Sequence, residues 1–301
     1  MKILVTGGTG FVGGRLLKQL SGAHELVVIS RHPEQSGRRL QQQGIEAECV
    51  GIEALPWLQG VEAVINLAGE PIADKRWSGK QKHLICDSRW RLTQTLSDWI
   101  MGLESPPKVF ISASAIGIYG TDSDSHMDED TPLVYDENDF AQRVCHTWEY
   151  LAMQAAPRTR VCVLRIGLVL GEGGALKKML PAFRAGVGGP VGSGSQAMSW
   201  IHIDDLVAVI GYLMMTDSCQ GVYNGTTPTP VSNKEFSKAL GQALRRPAFM
   251  TVPATALKLA LGEMSSLLLK GQSVLPNRLL RHGFDFRYPE LPAALQALLG
   301  R

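Results

Sequence analysis

A doubly wound α/β fold, a parallel sheet with helices on both faces and a smaller, mostly helical C-terminal part, is predicted by three observations. Near the N-terminus the aliphatic run Ile3-Leu4-Val5 ends in Gly7, Gly8, Gly10 and Gly13, and a helical pattern (Phe11, Val12, Leu16, Leu17, Leu20) begins at once. Further apolar runs, Glu25–Ser30, Val61–Gly69, Lys108–Ser114 and Arg160–Gly171, alternate with helical patterns, as βα units building a parallel sheet do. After Gly171 the alternation loosens, and from about Pro247 the chain is rich in Leu and Ala, interrupted by Pro253, Gly271, Pro276 and Pro289.

The glycine turn makes the sheet Rossmann-type. Glycine supplies positive φ for a tight turn and lets backbone N–H groups approach a pyrophosphate, toward which the next helix turns its positive end. Gly8-x-Gly10-x-x-Gly13 fits the general dinucleotide spacing, and Gly7-x-x-Gly10-x-x-Gly13 fits the short-chain dehydrogenase variant. Gly7, Thr9, Gly10, Phe11, Val12 and Gly13 are therefore cofactor-contact candidates.

The second strand ends in Ser30-Arg31, with no acid to hold a ribose 2′-hydroxyl. A hydroxyl and a guanidinium suit a 2′-phosphate that a carboxylate would repel, so the expected cofactor is NADP(H) rather than NAD(H). The plainer alternative is an exposed arginine just past a strand.

Next come a helical stretch around Arg38–Gln43 and a short extended segment, Glu46–Val50. The strand Val61–Gly69 ends in Leu67-Ala68-Gly69, where small side chains leave room for a ligand beside the sheet. A polar loop, Glu70–Trp77, leads to a long helix in which Arg89 shares the sheet-facing stripe with Ile85, Leu92 and Leu96. A buried arginine needs an anion, so Arg89 is either a phosphate or ribose ligand or half of an internal ion pair. After the strand ending in Ser112-Ala113-Ser114 and the turn Ile116–Tyr119, the acidic loop Thr121–Thr131 is expected to be mostly solvated. The following helix carries a core stripe of Phe140, Val144, Trp148 and Leu151, with Cys145 and Glu149 beside it. Arg160–Gly171 reads as one strand and turn, Gly186–Gly194 as a hairpin or substrate-side loop, and Gly221–Asn224 as a short late strand. Asp204 or Asp205 and Ser232 are candidate helix N-caps, and Leu257, Leu261, Met264 and Leu268 read as helix core. The implied division is residues 1–170, with a return around 200–227, for the nucleotide-binding domain. Residues 171–199 and 228–301 then form the smaller substrate-side domain.

The 301 residues, 45% hydrophobic and 19% charged, can bury a substantial core. A net charge of +2 gives no electrostatic case for nucleic acid or an anionic membrane. Five scattered cysteines, never in CxxC spacing, point to a reducing compartment and to neither a disulfide framework nor a metal site. The N-terminal apolar run is too short for a signal-peptide core and no run reaches the ~20 residues of a span, so the expectation is a cytoplasmic protein.

Thr6–Gly13, Asn66-Leu67-Ala68-Gly69, Ser112-Ala113-Ser114 and Arg165-Ile166-Gly167 together resemble the extended short-chain dehydrogenase/reductase superfamily, which includes nucleotide-sugar epimerases and dehydratases. Ala68–Ile72, Lys75-Arg76-Trp77, Ser88-Arg89, Cys145-x-x-Trp148-Glu149, Gly188-Gly189-Pro190 and Trp200–Asp205 are similar, more narrowly, to its atypical "epimerase family protein" branch. The likeness covers essentially the whole chain. It extends to a small C-terminal domain of unknown function, here about residues 247–296. The resemblance implies a nicotinamide cofactor and adds Ser112, Arg165 and Leu168 to the cofactor-side candidates.

In that superfamily a strand-end Ser or Thr works with a Tyr-x-x-x-Lys helix, whose lysine binds the nicotinamide ribose and lowers the tyrosine pKa. Ser114 stands at the hydroxyl position, but Cys145 and Glu149 occupy the i, i+4 pair and the chain contains no Tyr-x-x-x-Lys. A glutamate there raises the pKa of a neighbouring acid instead. Tyr119 and Glu149 remain candidates for proton transfer, although packing alone would explain Tyr119, and Ser114 is the candidate contact to substrate or nicotinamide. The expected function is an NADP(H)-dependent oxidoreductase or epimerase on a small polar or nucleotide-linked substrate. The competing expectation is a non-catalytic NADP(H)-binding redox sensor or interaction module. A homodimer through the two long helices, Lys80–Ile100 and Phe140–Ala155, is compatible with the resemblance.

Overall fold

Ile3, Leu4 and Val5 of β1 (Lys2–Thr6) are all buried rather than alternating, the pattern of a strand covered on both faces. The computed structural model describes residues 1–120 and 125–300. From β1 the chain runs through α1 (Phe11–Leu20), β2 (Glu25–Ile29), α2 (Pro33–Gln42), β3 (Glu48–Val50), β4 (Ala63–Asn66), α3 (Gly79–Gly102) and β5 (Val109–Ala115). It continues through β6 (His126–Met127), α4 (Phe140–Met153), β7 (Arg160–Ile166), β8 (Leu168–Leu170), α5 (Gly174–Arg184), β9 (Ala197–Met198), β10 (Trp200–His202), α6 (Ile203–Met215) and β11 (Gly221–Gly225). The C-terminal part adds β12 (Val231–Ser232), α7 (Asn233–Leu244), α8 (Ala254–Leu261), α9 (Ser266–Leu269), β13 (Ser273–Val274), α10 (Asn277–Arg281) and α11 (Leu291–Leu299).

Seven strands form one parallel sheet in the order β11-β7-β5-β4-β1-β2-β3. Chain progress reverses between β1 and β4, which opens a crevice beyond their carboxyl ends where such sheets bind ligands. On one face Leu16, Leu17 and Leu20 of α1, Leu40 of α2 and Leu206, Val209 and Ile210 of α6 pack on the sheet. On the other, Leu96 and Ile100 of α3 and Ala152 of α4 do so. Side-chain caps start several helices: Ser78 accepts from Gln81 N, Asp139 from Ala141 N and Gln142 N, and Ser232 with Glu235 forms a capping box.

A second core gathers around Trp200, fully buried by Leu176 and Phe183 of α5, Phe236 and Leu240 of α7, and Leu291 and Leu295 of α11. The C-terminal segment is sewn back into the first unit. β13 pairs with β6, Asn277 donates to Asp128, and the buried Asp205 carboxylate accepts from Arg287 N and Tyr288 N at 2.9 Å each.

Several local expectations change. The run Arg160–Gly171 is two strands, because Gly167 turns out of the sheet where a Cβ would lie 2.6 Å from Ser199 O, and β8 pairs with β10 instead. Gly221–Asn224 is the short late strand expected, extended by Gly225 as β11 at the sheet edge. α6 is capped by His202, whose Nδ1 accepts from Asp204 N, which frees Asp204 to pair with Arg15 and Asp205 to hold the C-terminal segment. Of the acidic loop, residues 121–124 lie outside the described residues. Met127 and Glu129 beyond them are buried rather than solvated, because β6 joins β13. Among the C-terminal residues read as core, only Met264 is buried. α8 buries no residue and Leu268 is 37% exposed, since these short helices lie on the outside of the second unit. Among the described residues no helix is long and apolar enough to cross a membrane, and no His/Cys/Asp/Glu group could hold a metal ion.

Replacing Asp205 by Ala leaves two interior N–H groups without an acceptor. Urea denaturation is expected to show a loss of about 3 kcal/mol, with Asp205→Asn intermediate because it keeps one acceptor oxygen.

Candidate cofactor cleft and buried charge network

Three features line the crevice. The first is the glycine turn after β1. Gly7 has φ +70°, and a Cβ on it would lie 2.7 Å from the Leu67 carbonyl carbon; one on Gly13 would lie 2.2 Å from Gly7 O. Only glycine fits at either position, so β1, the turn and the end of β4 are in backbone contact. Gly10 caps α1 without a side-chain acceptor, which leaves the first N–H groups of the helix for an anion. Beneath the turn, Thr6 Oγ1 donates to Asn66 Oδ1 (2.7 Å) and accepts from Ala68 N (3.3 Å), and Asn66 Nδ2 donates to Thr93 and Ser112. Thr9, Phe11 and Val12 are half-buried, with Val12 packed against the core beneath α1. The Phe11 ring supports the turn before α5, where a Cβ on Gly173 would lie 2.5 Å from it.

The second feature lies past β2. Ser30 Oγ shares a hydrogen bond with Ser36 Oγ (2.7 Å) and accepts from His32 N (3.1 Å), which sets the start of α2. Arg31, His32, Glu34, Gln35 and Arg38 surround an open depression of about 450 Å³. Arg38 has a loose 3.6 Å pairing with Glu34, and Arg31 has no carboxylate partner among the described residues.

The third feature is Arg89. Its Nη1 donates to Glu70 O (3.0 Å) and Ile85 O (3.1 Å), its guanidinium lies over the Trp148 ring at 5.1 Å, and a Cβ on Gly69 would lie 2.8 Å from it. No carboxylate pairs with it among the described residues, so of the two alternatives the internal ion pair is not formed. Burial depresses its pKa, the cost of a cation without a counter-charge. Beside it the buried Trp148 Nε1 has no hydrogen-bond partner. A cation with no carboxylate partner among the described residues, beside an unpartnered indole donor, suits an anionic, oxygen-rich ligand.

The proton-transfer candidates fall into one buried network set by strand register. Ser114 of β5 stands opposite Arg165 of β7, which stands opposite Asn224 of β11. α4 lays Glu149 across this row. Ser114 Oγ donates to Glu149 Oε1 (2.7 Å), Arg165 Nε and Nη2 grip both carboxylate oxygens (2.9 and 2.8 Å), and Arg165 Nη1 donates to the Tyr119 hydroxyl (2.9 Å). Tyr119 donates in turn to Asn224 Oδ1 (2.9 Å). Glu129 accepts from Asn224 N (2.9 Å) and from Arg278 N (3.1 Å), tying the row to α10. Burial works against the Arg165 charge, but the Glu149 carboxylate keeps its pKa above the usual value. Burial raises the Tyr119 pKa despite Arg165, and burial with Glu149 nearby pushes the Cys145 thiol up to about 12.

The turn, Ser30, Arg31, Leu67–Gly69 and Arg89 follow or flank the ends of β1, β2 and β4, whereas Leu168 is half-buried and packs against the second core. Two further candidates differ. Ser112 is fully buried with its hydroxyl on Asn66, and Arg165 directs all three nitrogens to Glu149 and Tyr119, so both are interior groups and neither faces the crevice. Ser114 and Tyr119 are also interior, 3% and 8% exposed. Reading the sequence missed Asn224, Glu129 and the Trp148–Arg89 stack. The only signal for Asn224 was its place at a strand end.

Removing one partner of the bidentate pair strands a buried charge. Arg165→Met is expected to cost about 3–5 kcal/mol in denaturant unfolding, and the double variant Arg165→Met/Glu149→Leu to recover most of it.

Residues 3–224 match the NAD dependent epimerase/dehydratase family, and residues 252–298 match a domain of unknown function, DUF1731. The chain is 41% identical over 306 residues to an Arabidopsis thaliana protein named Epimerase family protein SDR39U1 homolog, chloroplastic, covering 99% of this chain and 87% of that one. It is 39% identical over 301 residues to Epimerase family protein SDR39U1 of Mus musculus, covering 98% and 99%. The crystal structure of human epimerase family protein SDR39U1 (isoform2) with NADPH superposes with a TM-score of 0.90 at 35% identity, covering 100% of both chains.

Proposed function

This chain belongs to the NAD dependent epimerase/dehydratase family, and on that premise we propose that it binds NADP(H) and acts as an oxidoreductase or epimerase on a small polar or nucleotide-linked substrate. The observation that carries the cofactor assignment is the crevice itself. A turn that admits only glycine at Gly7 and Gly13 is flanked by two arginines without carboxylate partners among the described residues, Arg31 on one side and Arg89 on the other. The solved relative with NADPH supports the same choice of cofactor.

In this reading Gly7–Gly13 and the N-terminus of α1 hold the diphosphate, Ser30 and Arg31 hold the 2′-phosphate, and Arg89 with Leu67–Gly69 holds the central part. The nicotinamide, when bound, supplies or accepts a hydride. The proton side of the reaction differs from the Tyr-Lys scheme. Tyr119 is a fixed strut, its hydroxyl engaged by Arg165 and Asn224 and its pKa raised by burial. Glu149, with its side chain 11% exposed, is the most open member of the network, and Ser114 links it to the end of β5. We therefore assign Glu149 the proton-accepting role, with Ser114 relaying to it and Arg165 fixing its orientation.

A second reading, a non-catalytic redox sensor, draws on one observation: the hydroxyls of Ser114 and Tyr119 are both buried and both hydrogen-bonded. Cofactor titration tests the part the two readings share. NADPH is expected to bind at least tenfold tighter than NADH, a difference of about 1.4 kcal/mol, and Arg31→Asp to reverse the order. Equal affinities sink the 2′-phosphate assignment.

Solvent-deuterium exchange and product formation across a library of nucleotide sugars and small polar carbonyl compounds separate the readings. Turnover lost in Glu149→Gln with NADPH affinity unchanged supports catalysis. Tight binding with inertness throughout the library supports the sensor.

A further inference from the structure

Three contacts tie the loop after β4 and the start of α3 to α5 and to the C-terminal part, and the cofactor assignment uses none of them. Lys178, in the second turn of α5, donates to the Ala73 carbonyl at 2.9 Å and to the Asp74 carboxylate. Lys82, in the first turn of α3, donates to both oxygens of Glu263 at 2.8 and 2.6 Å. The Arg76 guanidinium lies so close to Gly262 that a Cβ there would be 3.0 Å from it.

The ends of the Lys178 contact belong to opposite walls of the crevice. Leu67–Gly69, from which the loop to Asp74 departs, abuts Gly7. Gly173 and Gly174, from which α5 departs, abut the Phe11 ring. Gly7 and Phe11 bracket the glycine turn, so a bond from Asp74 to Lys178 joins the two walls across it. We infer that the Asp74–Lys178 bridge, with Lys82–Glu263 as a second tie, is a clasp that closes over the cofactor diphosphate and sets the rate at which NADP(H) enters and leaves. The inference rests on the cofactor assignment above.

The chemistry of the clasp suits a gate that opens often. The Lys178 and Asp74 side chains are 52% and 51% exposed, so water and salt compete for both ends. A bridge of this kind slows release severalfold without trapping the ligand. Neither residue belongs to the glycine turn, the Arg31 depression or the Arg89 site. Loosening the clasp therefore changes how fast the cofactor exchanges and leaves intact which cofactor is chosen.

Stopped-flow release of NADPH from the full chain, followed by its fluorescence during a chase with excess NADP⁺, tests this. Lys178→Met and Asp74→Asn are each expected to speed release about two- to fivefold, and Lys178→Met with Glu263→Gln about tenfold. The preference for NADPH over NADH stays at the wild-type ratio. The charge swap Asp74→Lys/Lys178→Asp restores slow release, raising the salt concentration speeds wild-type release toward the variants, and Lys177→Met, on the exposed neighbouring position, changes nothing. Release rates equal to wild type in both single variants overturn the clasp while leaving the cofactor assignment standing. Failure of wild-type protein to bind NADPH at all overturns both.

Discussion

Arg165 and Glu149 face each other with side chains 5% and 11% exposed, and taking two charges that far out of water is tolerated only where every remaining donor and acceptor is answered. The surroundings are built to answer them. Ser114 donates a hydrogen bond to one carboxylate oxygen, the Tyr119 hydroxyl accepts from the third guanidinium nitrogen, and Asn224 closes the row behind Tyr119. These partners come from three neighbouring strands in register, so the sheet cannot slip by one residue at this end without breaking the set. The pair thus fixes strand register, the pitch of α4 above the sheet, and the place of the Glu149 carboxylate beside Ser114 at the end of β5.

The same row explains why the C-terminal segment is part of the site and not an appendage. Asn224 Nδ2 donates to Leu275 O, Glu129 is shared between Asn224 N and Arg278 N, and Gln272 reaches Gly120 O. Burial raises the Glu129 pKa, and the N–H groups it accepts from oppose that rise. Shifting α10 would withdraw one of those donors, and the change would pass through Asn224 to Tyr119. The two cores therefore share one polar seam, while each keeps its own apolar filling.

Local features of the sequence were legible where one short segment settles its own structure. The glycine turn, the strands buried on both faces and the Ser232 cap depend on neighbours a few residues away, and pattern reasoning reaches them. Ser30-Arg31 and Leu67–Gly69 were legible for the same reason, as the residues that follow the ends of β2 and β4. Arg165 was misread as a cofactor contact because its partner lies across a strand–helix interface that no local pattern encodes. Burial of Glu129 was likewise invisible, since it depends on β6 meeting β13. The C-terminal leucines show the converse: an apolar helical pattern says that a face wants cover and does not say that the fold supplies it.

The pairing of β6 with β13 joins His126 to Ser273, a separation of 147 residues, and Asp205 waits for Arg287 and Tyr288 near the chain end. The sheet strands β1 to β5 and β7 can meet in chain order, because each after β1 pairs with an earlier one. The seam cannot. Without the C-terminal segment in place, Asn224 Nδ2 and Glu129 at the end of the β5, β7 and β11 row would each lack a partner. Completion of the row thus depends on the docking of residues 272–278, whose contacts with Gly120 and Glu129 are far more distant in sequence than any within the sheet.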